Sequence, residues 1–400
     1  MTSKLKAYYR GYRLQLVLVA FGFGFTIYGL SAAPGRVWPN LLLDGFYVTS
    51  LAVSAIFFLA TQRLTGARWS AALRRIPEAF MLLLPAAGCL LMLLFFGRHW
   101  IYPWSVPGLF DQGAALSAGG KTQYLRTTLV FSRMGITLLL WAIFAHLFRS
   151  ASLEQDRKPG ASLVCHQRLN RYSAIFVVVF ALSFTIGSYD WLISMDPAWF
   201  TTMFAIYIFS GTFVQGIAAV TLAAVILREK DYLRHAVKKD HLHDLGKMLF
   251  AFSTFWAYIW VCQYLLIWYG NIPEEVTYYA KRTSGWWLLL FLANFGVNWI
   301  IPFTVLLSAR VKSDPVALKG VAVLLLCGHW LDLYLVVMPS VWPAPKFGVY
   351  EISIAAGYAV LFYALFRRNL GKAPLIPLHD PVLALRDQTL AGYAASGAES

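Results

Sequence analysis

The 400-residue chain is 59% hydrophobic and only 13% charged, and its mean hydropathy is +0.59. A soluble domain carries about twice that share of charged residues, so the composition excludes a soluble globular protein. The net charge of +15 would suggest nucleic acid binding in a soluble chain, but in a membrane protein it orients the chain and meets anionic headgroups. We therefore expect an all-α polytopic membrane protein that contacts lipid and binds no nucleic acid.

Ten apolar stretches have the length of about 20 residues that a helix needs to cross a bilayer. The first is long and contains aromatic residues and glycines, so we interpret it as a retained transmembrane helix and not as a signal peptide. The predicted spans are Leu14–Ala33, Leu41–Thr61, Glu78–Gly97, Thr127–Phe148, Tyr172–Ile193, Phe200–Leu227, Lys247–Gly270, Trp286–Ala309, Ala317–Met338 and Phe347–Phe366.

The basic residues predict the orientation of the chain. Most of the 34 Lys and Arg residues fall in the loops on the side that carries both termini, and only Arg133 lies inside a predicted span. By the positive-inside rule, both termini are cytoplasmic. We expect a single ten-helix domain over residues 1–370 and a cytoplasmic tail over residues 371–400.

Spans five and nine end with the same order of residues, an acid followed by Met, Pro and Trp. These are Asp190, Met195, Pro197 and Trp199 in span five, and Asp332, Met338, Pro339 and Trp342 in span nine. Span nine comes four spans after span five, which predicts two similar four-helix bundles. The bundles would cover about residues 41–195 and 200–340, with flanking helices at about 14–33 and 347–366.

Ionisable residues inside the predicted spans are the main candidates for chemistry, because such residues are rare in membranes. His329 and Asp332 lie three residues apart on one helix face, and an imidazole beside a carboxylate can pass a proton near neutral pH. A structural pair between packed helices is the alternative. Arg133 needs a partner, and Asp190 or Asp44 is a candidate.

One aromatic face is predicted on span seven. It combines Trp256, Trp260, Gln263, Tyr264 and Ile267, and it could stack on and hydrogen-bond a quinone ring or could simply be packing. Asn294 and Asn298 on span eight are four residues apart, which favours interhelical hydrogen bonding over a water path.

Several kinds of site are missing from the sequence. Of the eight histidines only His329 is deep in a span, so two axial haem ligands cannot be assembled, and the four cysteines form no CxxC pair. No nucleotide-binding or metal-binding motif occurs. If the protein takes part in redox chemistry, we expect the iron–sulfur and haem centres on other subunits.

Four stretches resemble a known family. They are Ser188–Phe200, His243–Phe250, Phe255–Glu275 and the tail motif His379-Asp-Pro-Val-Leu383. They are similar to the ActF-type, quinone-binding-type membrane subunit of bacterial alternative complex III, a relative of the NrfD/polysulfide-reductase membrane anchors.

This resemblance implies a ten-helix, non-autonomous subunit of a quinol:cytochrome c (or oxidase) oxidoreductase in the bacterial inner membrane, with no redox cofactor of its own. The substrate would be menaquinol or ubiquinol. The implied partners are an NrfD-like sister subunit of the ActC type, an iron–sulfur subunit, cytochrome c subunits and a terminal oxidase. The sister subunit would hold the better-supported quinol site.

The resemblance thus leaves two roles for this chain, a quinol-head site or proton pathway, and a structural role. The candidate residues for the first role are Asp190, His329, Asp332, Arg133, Gln263, Tyr264, Asn294 and Asn298, and we expect no metal. A secondary transporter built of two helix bundles is a rival, although transporter repeats are usually inverted. A purely structural anchor for extrinsic subunits is another.

Overall fold

The computed structural model describes residues 19–20, 22–106 and 121–383. Of these residues 83% are helical and none lies in a β-strand. Within them, nine helices are long and apolar enough to cross a membrane. Part of the predicted first span, the outer loop around 107–120 and the tail beyond 383 lie outside the described residues.

We number the principal helices α1 to α11. The described part of the first predicted span forms α1, over residues 22–32. The others are α2 (Pro34–Leu64), α3 (Arg75–Trp100), α4 (Thr127–Arg157), α5 (Ser162–Trp191), α6 (Phe204–Glu229), α7 (Lys239–Gly270), α8 (Pro273–Arg282), α9 (Gly285–Val305), α10 (Pro315–Val337) and α11 (Val349–Leu370).

Helices α2 and α6 form the centre of the protein. Their most apolar 18-residue windows are 78% and 83% buried, more than in any other described span. They approach closely because Gly216 has no side chain, and a Cβ there would collide with Ser54. Gln215 fixes the contact by donating to the Tyr47 carbonyl at 2.8 Å.

The remaining helices surround this central pair in two groups. Helices α3, α4 and α5 pack with α2 and form the first group. Helices α7 and α10 pack with α6, and α9 packs with α7 and α10, which completes the second group. Helix α11 lies against α2 and α3. The two acids of the sequence repeat, Asp190 on α5 and Asp332 on α10, therefore lie in different groups.

The connection between α7 and α9 is largely helical, because residues 273–282 form the helix α8. Asn271 ends α7 in the left-handed conformation, with φ of 46°, and Pro273 begins α8 at a position where its missing N–H costs nothing. Acidic residues occupy the first turn of α8 and basic residues its last turn, which complements the helix dipole.

Candidate functional site

Asp332 is the centre of the second helix group. Its carboxylate accepts hydrogen bonds from Tyr207 Oη on α6 at 2.5 Å, Trp256 Nε1 on α7 at 3.1 Å and Asn294 Nδ2 on α9 at 2.7 Å. Asp332 is only 4% exposed. Four helices thus meet at one carboxylate, and the three donors are neutral groups that suit an ionised acceptor.

His329 lies beside this carboxylate, as its spacing predicts. Its Nδ1 is 3.9 Å from Asp332 Oδ2, too far for a hydrogen bond, and neither ring nitrogen has a partner among the described residues. Gly211 on α6 closes the space, since a Cβ there would lie 3.3 Å from Nδ1. A buried imidazole with two open nitrogens is unusual and can accept a proton.

The α9 residues join the cluster through an irregular turn. Asn298 Nδ2 donates to Asn294 Oδ1 at 2.7 Å, so the two amides and Asp332 form one network. Asn294 bonds to another helix, whereas the hydrogen bonds that Asn298 donates stay within α9. The turn Gly296–Ile300 is a π-helix. Pro302 follows it, and a proline without an N–H disturbs the regular ladder of the preceding turn.

A small cavity on the side of α8 adjoins two of the groups that donate to Asp332, Tyr207 and Asn294. The described residues leave about 20 Å³ there, lined in part by Tyr207, Tyr278, Arg282 and Asn294. That volume holds one water, which needs roughly 10–15 Å³, and it is far below the roughly 300 Å³ of a small-molecule site. The space suits proton transfer and not a quinone ring.

Arg282 places a positive charge next to this cavity. It is 2% exposed and donates to the carbonyls of Leu335 and Val336 at 2.8 and 2.7 Å, and it forms no ion pair with a carboxylate in the described part of the chain. Its guanidinium also lies 3.3 Å from the Tyr278 ring centroid. Burial raises the pKa of Tyr278 to about 12, with the charge of Arg282 opposing it, so Tyr278 remains a neutral hydroxyl.

Asp196 marks the surface end of the same region. It accepts from Lys281 Nζ at 2.8 Å and from Ser340 Oγ at 2.6 Å, and Arg282 Nη2 donates to the same Ser340 Oγ at 3.4 Å. Burial raises the pKa of the Asp196 carboxyl, but the hydrogen bonds from Lys281 and Ser340 and nearby positive charges outweigh burial and hold the pKa below its usual range.

The first helix group contains a different acid site. Arg133 Nε donates to Asp190 at 2.6 Å and its Nη2 donates to the same carboxylate at 3.2 Å, so Asp190 is the partner, one of the two that the sequence suggested. Asp190 is fully buried and the Arg133 side chain is 24% exposed. Asp44 instead accepts from Trp330 Nε1 at 2.8 Å.

The structure does not bring all candidate residues together. Gln263 is buried on α7 two turns beyond Trp256, and no hydrogen bond between described residues joins it to Asp332. Tyr264 packs in the predicted aromatic face, with Trp260, Tyr279 and Phe291 as ring neighbours. The Asp190 pair is likewise separate from the Asp332 network in its hydrogen bonding.

A larger apolar cavity lies between α1, α2, α3 and α11. It measures about 430 Å³, and Leu41, Leu90 and Tyr358 are among its lining residues. The Tyr358 hydroxyl lies 3.7 Å from the position that a Cβ on Gly45 would occupy. Asp44 precedes Gly45 in the chain, and its Oδ2 has no hydrogen-bond partner among the described residues. The volume of this cavity matches that of small-molecule sites.

Sequence reasoning missed three groups of the Asp332 region. The sequence patterns single out none of Tyr207, Tyr278 and Arg282, and the last two lie between the predicted spans seven and eight. The spacing of Tyr278 and Arg282, four residues apart between helix-favouring ends, is the signal that could have placed both on one helix face.

No protein-family model matches the chain, and a search of curated proteins finds no match. Functional inference therefore rests on this geometry and on the motif resemblance.

Proposed function

We propose that the chain is a membrane subunit of a quinol-oxidising electron-transfer complex and that its Asp332 cluster carries protons. The observation that carries the proton role is the pairing of a buried carboxylate, solvated by three neutral donors, with a buried His329 whose ring nitrogens are open. The redox setting is supported by the four motif stretches. We place both termini on the cytoplasmic side of a bacterial inner membrane, with ten spans.

The charge balance of the pair explains why it would take up one proton. Without a proton, Asp332 and His329 together carry one negative charge in a buried site, which is costly in a membrane. One proton on either group makes the pair neutral. A second proton would add a positive charge close to Arg282, which carries one already, so the pair exchanges a single proton.

The route away from the cluster leads toward α8. A water in the small cavity would contact Tyr207 and Tyr278, and the ionised Asp196 carboxylate lies beyond it at the surface. Arg282 remains charged throughout and holds its hydrogen bonds to the α10 carbonyls. It therefore shapes the electrostatic path without exchanging protons itself.

The quinol part of the proposal uses a different space. The cavity of about 430 Å³ suits a quinol ring, and its Tyr358 hydroxyl lies beside Gly45, the residue that follows Asp44. Oxidation of one quinol releases two protons and two electrons. The two electrons would leave to iron–sulfur and haem c partners. Asp44 would accept the two protons one after the other and pass each on before taking the next, and it contacts Trp330, the residue after His329 on α10.

The first experiment is affinity purification of the chain from its native membranes, with a haem spectrum and mass spectrometry of the co-purifying proteins. Iron–sulfur and haem c partners support the redox setting. A colourless single polypeptide would overturn it and favour a transporter.

The second experiment measures quinol oxidation and proton release by the intact complex in vesicles. For Asp332→Asn we expect both rates to fall by about 100-fold, the usual contribution of a positioned proton-transfer group, whereas Asp332→Glu retains part of them. The exposed Asp231, with a side chain 69% exposed, supplies the control Asp231→Asn. Unchanged proton release in an assembled Asp332→Asn complex would refute the proton role.

A further inference from the structure

A polar cavity lies at the opposite end of the protein, where α2, the α2–α3 connection, α5 and the tail meet. It measures about 290 Å³, close to the lower limit of small-molecule sites. Its charged or polar lining includes Arg63, Arg68, Arg74, His166, Asn170 and Asp380. None of these residues belongs to the proton site proposed above.

The positive charge of this cavity is not balanced by its own wall. Asp380 is the carboxylate of the lining, and Arg74 Nη1 already binds it at 2.5 Å. Arg63 and Arg68 form no ion pair within the described part of the chain. Arg68 is exposed, so the cavity is open to an approaching anion at that side.

Unused hydrogen-bonding groups line the same cavity. The Arg74 side chain is 4% exposed, and its buried Nη2 has no hydrogen-bond partner among the described residues. On α5, His166 Nδ1 is also buried without a partner, while its Nε2 lies 3.4 Å from Asn170 Nδ2. Buried donors without partners are rare in folded proteins, and a bound ligand commonly explains them.

We propose that this cavity binds a phosphate-type anion, held by Arg63, Arg68 and Arg74. A guanidinium presents paired N–H groups that fit two phosphate oxygens, and such charge-assisted bonds are the strong ones. The cavity lies on the side where the basic loops collect, and basic pockets between helices on that side bind phospholipid headgroups. A lipid headgroup and free phosphate share this chemistry.

Binding there would link three parts of the chain. The anion would contact Arg63 at the end of α2 and His166 near the start of α5, and it would be linked to the tail through Arg74, which binds Asp380. It would therefore stabilise the attachment of the tail to the helices without touching the Asp332 cluster.

The test uses the protein purified with its native partners, and it compares Arg63→Gln/Arg68→Gln with Arg234→Gln. Arg234 is a matched control, because it lies in the exposed loop after α6 with a side chain 69% exposed. Native mass spectrometry reports retained phospholipid. Thermal unfolding of delipidated protein with increasing inorganic phosphate, and in nanodiscs with or without anionic lipid, reports binding.

A phospholipid retained by the native protein and by Arg234→Gln, but lost from the double variant, supports a headgroup as the ligand. Saturable stabilisation by phosphate alone, weakened about ten-fold or more in the double variant, supports a free anion. Arg63→Lys/Arg68→Lys, which keeps the charge, should recover part of the binding. Equal lipid retention and equal phosphate response in all variants would overturn the proposal.

Discussion

The two buried acids, Asp332 and Asp190, are stabilised by different means. Asp332 is held by three neutral donors and has His329 as its titratable neighbour, whereas Asp190 is held by the fixed charge of Arg133. Arg133 supplies a permanent positive charge, because a guanidinium does not release its proton in a protein. This contrast favours Asp332 as the proton-exchanging acid and favours a structural role for Asp190.

The Asp190 assignment predicts a rescue by a second substitution. Arg133→Leu leaves a fully buried carboxylate without its partner and should lower the free energy of unfolding by about 3 kcal/mol, because breaking a buried pair exposes the cost of the remaining charge. Arg133→Leu/Asp190→Asn removes that charge and should recover most of the loss. Unfolding in mixed detergent micelles measures both.

The double variant also distinguishes a structural role of Asp190 from a role in proton transfer. If Asp190 only stabilises the fold, the double variant should retain proton release by the intact complex. A rescued fold with a lost proton release would instead place Asp190 in the proton path.

At the scale of the element, the site depends on the irregular turn in α9. The π-helical turn Gly296–Ile300 contains Asn298 and lies between Asn294 and Pro302, and such turns are frequent at functional sites. Because a π turn accommodates one more residue than an α turn, its presence fixes the rotation of Asn294 relative to the rest of α9.

Pro302→Ala should therefore damage the site without weakening the helix. The new N–H restores a regular hydrogen bond in an otherwise helical segment, so stability should be unchanged or higher, while Asn294 rotates away from Asp332 and turnover falls about ten-fold. Pro315→Ala is the control, because Pro315 occupies the first turn of α10, where an N–H has no helical partner. Equal turnover in both variants would show that the π turn is not needed.

The outer connections predict a dependence of stability on pH. Asp196 ties the turn after α5 to Lys281 of α8 and to Ser340 after α10, and its pKa is held below the ordinary value of 3.8. A depressed pKa stabilises the folded state above that value, and the contribution disappears as the pH falls below about 3.8. Stability should thus decline in acid in the native protein.

Asp196→Asn should remove this part of the acid dependence and cost about 0.5–1 kcal/mol at pH 6, since Lys281 is half exposed and solvent screens the pair. Thermal unfolding in detergent between pH 3 and pH 6 tests both points. A variant whose acid decline matches that of the native protein would assign the decline to other carboxylates.

Much of the fold follows from local sequence rules, and the site follows only in part. Span length and apolarity predict the nine described spans, and the i, i+3 spacing predicts the contact of His329 with Asp332. The hydrogen bonds that Tyr207 and Trp256 donate to Asp332 could not be predicted in this way, because they join residues 125 and 76 positions apart. Such contacts depend on how helices rotate against each other, which hydrophobic patterning in a membrane does not fix.

At the scale of the whole molecule, an ionic cluster fastens the tail to the first helix group. Glu78 on α3 accepts from Arg75 and from Arg149 on α4, each at 2.6 Å, and Arg75 also binds Asp156. The tail joins this cluster through Asp380 and Arg74, and through the Leu378 N–H bond to Asp156 at 3.2 Å. The described tail, although non-helical as far as residue 380, is thus part of the folded structure.

The cluster predicts that a charge in the tail matters more than a charge on the nearby surface. Asp380→Asn leaves the buried Arg74 with less compensation and should lower the free energy of unfolding by about 2–3 kcal/mol, with little dependence on salt because the pair is shielded from solvent. Glu154→Gln is the matched control, since Glu154 is a third exposed and pairs with Lys158 and Arg168. It should change the free energy of unfolding only slightly, and that change should vanish in roughly 1 M salt, which screens exposed ion pairs. If both effects are small and salt-sensitive, the tail is not held by its buried charge. A large, salt-independent effect of Asp380→Asn, together with faster proteolysis after Leu370, would show that the C-terminal segment is an integral part of the first helix group.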